Sequence, residues 1–394
     1  MTLKVLLAPC VALTLLLTAA AASAEITIAH VYGKTGPYAA YAKQSHDGLM
    51  LGLEYATDGT MEINGEPIVV IEKDTGLRPA AARDLLREAF GEEGVDLAVG
   101  GITSEEALAM LPVAQEFARI LIVEPAQADA ITGEHWNRHV FRTAPSTGLE
   151  AVANARALGG PDVAIATLAP EYPFARDWMR AFRTALPATG ARLVHEEYAT
   201  PGTRDFTAAA RRLFAALDAA GGRKRLFILW AGGGHPLEAL LAMKPETHGI
   251  ELAGAGGVLA ALVPYKAAPG LEGAISYYYQ LPDNEVNDWL LREHLARFEA
   301  PPDVNAAGGM AAGIAIVEAI RRAETTETEA LIAAMEGLEW FGPKGLMRFR
   351  PGDHQALQAM YHFRIRTDPR LAWGVPELVR ELAIGELDLP LRSH

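Results

Sequence analysis

The residues of this chain best placed to do chemistry would hold a ligand rather than transform it. Thr103 and Ser104 follow an apolar run and precede Glu105, Glu106 and a helical pattern. A hydroxyl and the open amides of a helix start then lie together, which suits a carboxylate. Aromatic side chains stand at comparable places. Tyr38 and Tyr41 lie in the loop after the first apolar strand, Tyr172 after a later one, and Trp230 at the end of a third. Tyr277, Tyr278 and Tyr279 follow a fourth; strand alternation prevents all three from facing one cleft, and Tyr277 is the one assigned to it.

Catalytic constellations are missing. Gly254-Ala255-Gly256 begins like a dinucleotide-binding loop, but Leu259 stands where its third glycine belongs. His135 and His139 have a spacing open to metal, yet no H-E-x-x-H accompanies them, and no G-x-S-x-G elbow exists. Cys10 is the only cysteine. No catalytic residue, metal site or cofactor is expected, and the chain reads as a binding protein, not an enzyme.

The elements that must position these residues alternate between strand and helix. Apolar strand patterns start at Glu25, Pro67, Val95 and Ile120, with helical patterns near 45–57, 79–90 and 104–117. The alternation pauses over 139–148 and resumes with strands from Asp162, Ala191, Arg225 and Ile250, and helices near 173–186, 205–219 and 236–243. A strand from Gly273, helices near 285–298 and 306–323, and a hairpin-like strand pair from Gly345 complete the pattern. Two series of similar length predict an α/β fold of two doubly wound parallel-sheet lobes. Such lobes bind ligand at the carboxyl ends of their strands, in the crevice between them.

The post-strand segments resemble those of the branched-chain amino-acid binding proteins, the type I periplasmic binding proteins of ABC importers. Thr35-Gly36-Pro37-Tyr38-Ala39-Ala40-Tyr41 is similar to that family's S-G-P-x-A-x-aromatic loop, and Val99-Gly100-Gly101-Ile102-Thr103-Ser104 to its V-G-x-x-x-S turn. Pro125-Ala126-Gln127-Ala128-Asp129, with Ile131-Thr132, resembles P-A-A-T-N followed by L-T. Phe141-Arg142-Thr143 resembles F-R-T at the first crossover, and Asp205-Phe206 a later D-F. Gly342-Pro343-Lys344-Gly345 and Asp353-His354-Gln355-Ala356 carry the likeness to the C-terminal end. The order is preserved along almost the whole chain.

The resemblance implies three crossings between lobes, near 143–146, 277–280 and 342–345, and hinge closure around the ligand. The implied division is a first lobe over 25–143 and 278–343, and a second over 144–277 with a return at 344–394. It also implies ligand contacts from Tyr38, Tyr41, Thr103, Ser104, the Ala126, Gln127 and Ala128 segment, Tyr172, Trp230, Gly256 and Tyr277. Two departures bear on the ligand. Amino-acid-binding relatives carry G-P-E-G where this chain has Gly254-Ala255-Gly256-Gly257, so Gly256 replaces the glutamate that holds the ligand's ammonium. Small residues over 306–310 suggest a roomier cavity.

The first residues read as an export signal: Lys4, an apolar stretch, then Ala22-Ser23-Ala24 before Glu25. A membrane anchor and a lipid on Cys10 are the competing readings. Cleavage would leave about 370 residues, ample for two lobes and without cysteine. The net charge of −14 opposes nucleic-acid and anionic-membrane binding. The function expected is that of a monomeric periplasmic solute-binding protein working with ABC permease subunits, its ligand a small carboxylate, amide or amino-acid-like molecule. A ligand-sensing receptor that reports to a signalling partner is the alternative. Mass analysis of the exported protein is expected to give a chain that starts at Glu25; a retained 1–24 segment or a lipidated Cys10 would refute the cleavage.

Overall fold

The computed structural model describes residues 25–230 and 234–387; the expected export segment lies outside them. In the first series, apolar runs form β1 (Ile26–Tyr32), β2 (Glu62–Ile63), β3 (Glu66–Asp74), β4 (Leu97–Gly100), β5 (Ile120–Val123) and β6 (Val140–Arg142). Between them lie α1 (Ala39–Ala56), α2 (Pro79–Gly91) and α3 (Ser104–Phe117). The sheet order is β2-β3-β1-β4-β5-β6, with all pairs parallel except β2 with β3. Helices cover both faces, so β4 and β5 are buried throughout.

The second series contains α4 (Thr147–Leu158), β7 (Val163–Pro170), α5 (Pro173–Ala185), β8 (Arg192–Ala199), α6 (Thr207–Ala220) and β9 (Arg223–Ile228). It continues through α7 (Leu237–Ala242), β10 (Ile250–Gly254), α8 (Leu259–Leu262) and β11 (Glu272–Ile275). The chain then runs through α9 (Glu285–Phe298), α10 (Val304–Ala323) and α11 (Thr328–Met335). It ends in β12 (Glu339–Gly342), β13 (Gly345–Phe349), β14 (Ala356–Gln358), β15 (Met360–Arg366) and β16 (Val375–Leu382). The second sheet has the order β16-β15-β11-β10-β9-β7-β8, and β12-β13-β14 form a small third sheet.

In both large sheets the first strand of the series lies between the second and third: β3-β1-β4 in one and β8-β7-β9 in the other. Each sheet therefore reverses its winding beside its first strand, and loops leaving that point diverge to opposite faces. This is the α/β fold of two doubly wound parallel lobes read from the sequence. Some elements were not expected. The α4 helix is alanine-rich and buried on almost every side, so it shows no single apolar stripe. The stretch after Gly345 makes three strands rather than a pair: β13 and β14 stay in the small sheet, and β15 crosses into the second lobe.

Close approach of two helices shapes the first lobe. A Cβ on Gly48 of α1 would fall 2.0 Å from the Ala306 carbonyl oxygen, and one on Gly309 of α10 would fall 2.1 Å from that of Ser45. The small residues over 306–310 thus admit the α1 backbone, and they do not enlarge a cavity as expected. Gly308 is the exception, facing the Glu124 carboxylate, where a Cβ would lie 2.0 Å from Oε1. Although α10 is long and apolar enough to cross a membrane, 83% of its apolar window is buried inside the protein.

Alanine ordinarily favours a helix over glycine by about 1 kcal/mol. At Gly309 the backbone collision reverses this, and Gly309→Ala is expected to destabilise by about 1–3 kcal/mol in chemical denaturation. Gly160→Ala, whose Cβ would meet its nearest neighbour at 3.5 Å, is the control and should change stability by less than about 0.5 kcal/mol. Equal effects at the two sites would contradict the packing account.

Candidate functional site

The two reversal points carry many of the residues singled out above. In the first lobe, the loop after β1 is anchored by Asp74, whose carboxylate accepts from the Thr35 amide (3.1 Å) and hydroxyl (2.9 Å). Tyr38 caps the start of α1 and is 51% exposed; its ring centre lies 6.1 Å from that of Tyr41. Beside this loop, Gly101 turns the chain from β4 into α3 with φ of +86°, a conformation that favours glycine. His30, on β1, is buried between Tyr32 and His46, and burial pushes its imidazole down to about 3.

The α3 start is already partly filled by the chain itself. Thr103 Oγ1 accepts from the Glu106 amide at 3.2 Å, and the Glu106 carboxylate accepts from the Thr103 amide at 3.1 Å. Glu106 is buried and also accepts from the Thr75 hydroxyl. Thr103 is therefore committed as a cap, which corrects its expected role as an open donor. Ser104 Oγ accepts from the Ala128 amide at 3.2 Å, so its own proton remains available to donate. The Ser104 and Glu105 amides have no carbonyl four residues back within the helix.

The segment after β5 joins the lobes. The Gln127 carbonyl accepts from the Thr147 amide (2.9 Å) and hydroxyl (3.1 Å), and Asp129 accepts from the Gly148 amide (2.8 Å). The Gln127 side chain donates to Glu150 at 3.2 Å. Ala126 is buried, its amide donating to the Gly101 carbonyl, and the Ala128 carbonyl accepts from Arg142 Nη1 at 2.5 Å. Arg142 also donates to Gln355 Oε1 and Thr132 Oγ1, each at 2.6 Å.

Three carboxyls here are pushed upward by burial. Glu124, the residue after β5, accepts from the Thr143 hydroxyl at 2.8 Å, and burial raises it despite nearby Lys344 and Arg142. Glu150, in the first turn of α4, is pushed up to about 7, opposed by the Gln127 amide. Asp303, 5% exposed at the start of α10, is pushed up to about 6. Its carboxylate accepts from its own helix at Val304 (2.8 Å) and from Leu259 at the start of α8 (3.1 Å to each oxygen). One carboxylate thus ties the first-lobe helix α10 to a second-lobe loop.

In the second lobe Tyr172 caps α5, and its ring centre lies 6.2 Å from that of Phe174. Burial raises its phenol, with the Tyr38 phenol contributing electrostatically. Trp230 packs edge-on to Phe206 with centres 5.4 Å apart. A Cβ on Gly256 would meet Ala261 Cβ at 3.1 Å and Tyr265 at 3.9 Å, so this loop leans on its own lobe. Tyr277 is 1% exposed and donates its hydroxyl to Asn287 at 2.8 Å.

Four ionisable residues escaped the sequence reading: Glu124, Glu150, Asp303 and Lys344. Glu124 directly follows an apolar strand, and Asp303 sits where a helix cap belongs, so both carried a usable signal. Glu150 lay in an unexpected helix. Lys344 lies inside the Gly342-Pro343-Lys344-Gly345 motif, whose sequence does not show that the lysine is buried.

Comparison with known proteins follows this architecture. A family model described as periplasmic binding protein matches residues 25–369. A Leu/Ile/Val-binding protein homolog from Brucella melitensis is 25% identical over 320 residues, covering 80% of this chain and 84% of that one. A crystal structure of an ABC-type branched-chain amino acid transporter from Rhodopseudomonas palustris has a TM-score of 0.91 and 53% identity, covering 94% of this chain and all of that one. A solute-binding protein from Rhodopseudomonas palustris BisB5, in complex with 3,4-dihydroxybenzoic acid, shares the fold, with a TM-score of 0.73 and 22% identity over 91% of this chain and 98% of that one. The chain belongs to the periplasmic binding protein family, as a substrate-binding protein of the Leu/Ile/Val type that serves ABC transporters.

Proposed function

We propose that this protein captures a small carboxylic acid without an α-ammonium group by closing its lobes, and hands it to the membrane subunits of an ABC importer. Gly256 carries the reading. It stands where amino-acid-binding relatives hold the ligand's ammonium with a glutamate, and it has no side chain to replace that charge. The buried acids Asp303, Glu124 and Glu150 are poor substitutes. Asp303 is spent on two helix starts, while burial favours the neutral forms of Glu124 and Glu150. A buried ammonium left unpaired would cost several kcal/mol. Ser104 and the open amides of α3 support carboxylate binding, and Tyr38, Tyr41 and Tyr172 supply aromatic walls. The names of the relatives favour a branched-chain amino acid instead, and the same experiment decides between the two.

Calorimetry should compare leucine, its deaminated counterpart 4-methylpentanoate, and benzoate. An acid is expected to bind at least about tenfold more tightly than leucine. Tight leucine binding without binding of either acid would overturn the reading. Because main-chain amides remain, Ser104→Ala should weaken acid binding by only about 1 kcal/mol.

Closure has its own signature. At a ligand concentration 100-fold above Kd, unfolding should be harder by about 2.7 kcal/mol, and small-angle scattering should show a smaller radius of gyration. A ligand that stabilises without compaction would argue against hinge closure.

A further inference from the structure

We propose that the Lys344 ammonium is the cation that receives the ligand's carboxylate at the hinge end of the cleft. This deepens, and rests on, the reading that the ligand is a carboxylic acid. Lys344 is 0% exposed, and its Nζ has no hydrogen-bond partner. A buried ammonium is among the costliest groups to leave unsatisfied, and native proteins seldom do so without a reason.

The position of Lys344 supplies that reason. It lies in the tight turn between the paired strands β12 and β13, where the Asn284 side chain donates to the Pro343 carbonyl at 3.2 Å and Tyr361 donates to the Lys344 carbonyl at 3.0 Å. The backbone is thus held from both sides. The charged neighbours that act on its side chain are Glu124 and Glu150. The first follows β5 and the second begins α4, and the Ala126–Gln127–Ala128 segment joins those two places through the Gln127–Glu150 bond. Through Glu150 the Lys344 side chain is linked to the segment that reaches Ser104 by the Ala128 amide.

Neither carboxyl serves as its ion-pair partner. Glu124 accepts from Thr143 and Glu150 accepts from Gln127; burial raises both carboxyls and lowers Lys344, so all three groups are without the partner that would hold their charge. A purely structural lysine would be expected to hold one of them directly. An incoming carboxylate would supply the missing charge and acceptors at once, in a site that closure shields from water.

The test uses the full mature chain and Lys344→Met, which keeps an unbranched apolar stem. Probes are benzoate with benzamide, 4-methylpentanoate with its primary amide, and leucine, read by calorimetry and thermal unfolding. The wild type is expected to prefer acid over amide. In the variant, acid affinity should fall on the order of 10- to 100-fold, amide affinity should hold, and the unliganded protein should melt no lower than the wild type. A variant that keeps the wild-type acid affinity, whatever its melting point, overturns the role of Lys344 and leaves the ligand class standing. A wild type that no acid stabilises overturns both. Should the variant not fold, a crystal structure of the wild type with its bound acid decides: a carboxylate oxygen within hydrogen-bond reach of Nζ supports the assignment, and a carboxylate held elsewhere overturns it.

Discussion

The structure turns on a buried guanidinium. Arg142 ends the last strand of the first sheet and is fully buried at the first crossing between lobes. It reaches Gln355 just before β14, Thr132, and the Ala128 carbonyl of the loop between β5 and β6. Gln355 in turn donates to the Ala144 and Ala356 carbonyls, and the Arg142 amide donates to the His354 carbonyl at 3.1 Å. Two chain segments separated by more than half the sequence are thereby held side by side. A charge buried in this way is tolerated because its planar fork finds several acceptors at once.

Packing in the first lobe depends on the absence of side chains as much as on their presence. Gly48 and Gly52 of α1 lie against the carbonyls of Ala306 and Met310, while Gly309 and Gly313 of α10 lie against those of Ser45 and Leu49. The two backbones come close enough for α10 to bring Gly308 against Glu124 and Asp303 against the second lobe. The helix that looks most like a membrane span is thus a rigid rod that delivers polar groups to the cleft.

Of the buried ionisable groups Glu124, Glu150, Asp303 and Lys344, only Lys344 has no hydrogen-bond partner. Burial lifts Glu124, Glu150 and Asp303 and lowers Lys344. Elsewhere the chain pairs its charges conventionally, as where buried Arg225 meets Glu272 at 2.9 Å. The contrast sets the unpartnered Lys344 apart from buried groups that are paired, such as Arg225.

Local pattern carried much of this protein. The period of the apolar residues read out the parallel α/β sheets, and helices such as Ser104–Phe117 and Glu285–Phe298 emerged with their observed bounds. Turn chemistry placed Ser104, Tyr38 and Tyr172 at strand ends, because strand termini and caps are written in neighbouring residues. Helices buried on every side, such as α4, left no stripe to read. Thr103 changed role because its partner, Glu106, is spent in a way that only three-dimensional placement reveals. The surroundings of Glu150 and Lys344 were equally hidden. Burial and the absence of a partner are properties of what surrounds a side chain, and in this chain those surroundings come from segments up to 220 residues away, from Glu124 to Lys344. The sequence by itself determined the elements and the strand-end residues; only the tertiary structure decided which polar groups meet and which remain unsatisfied.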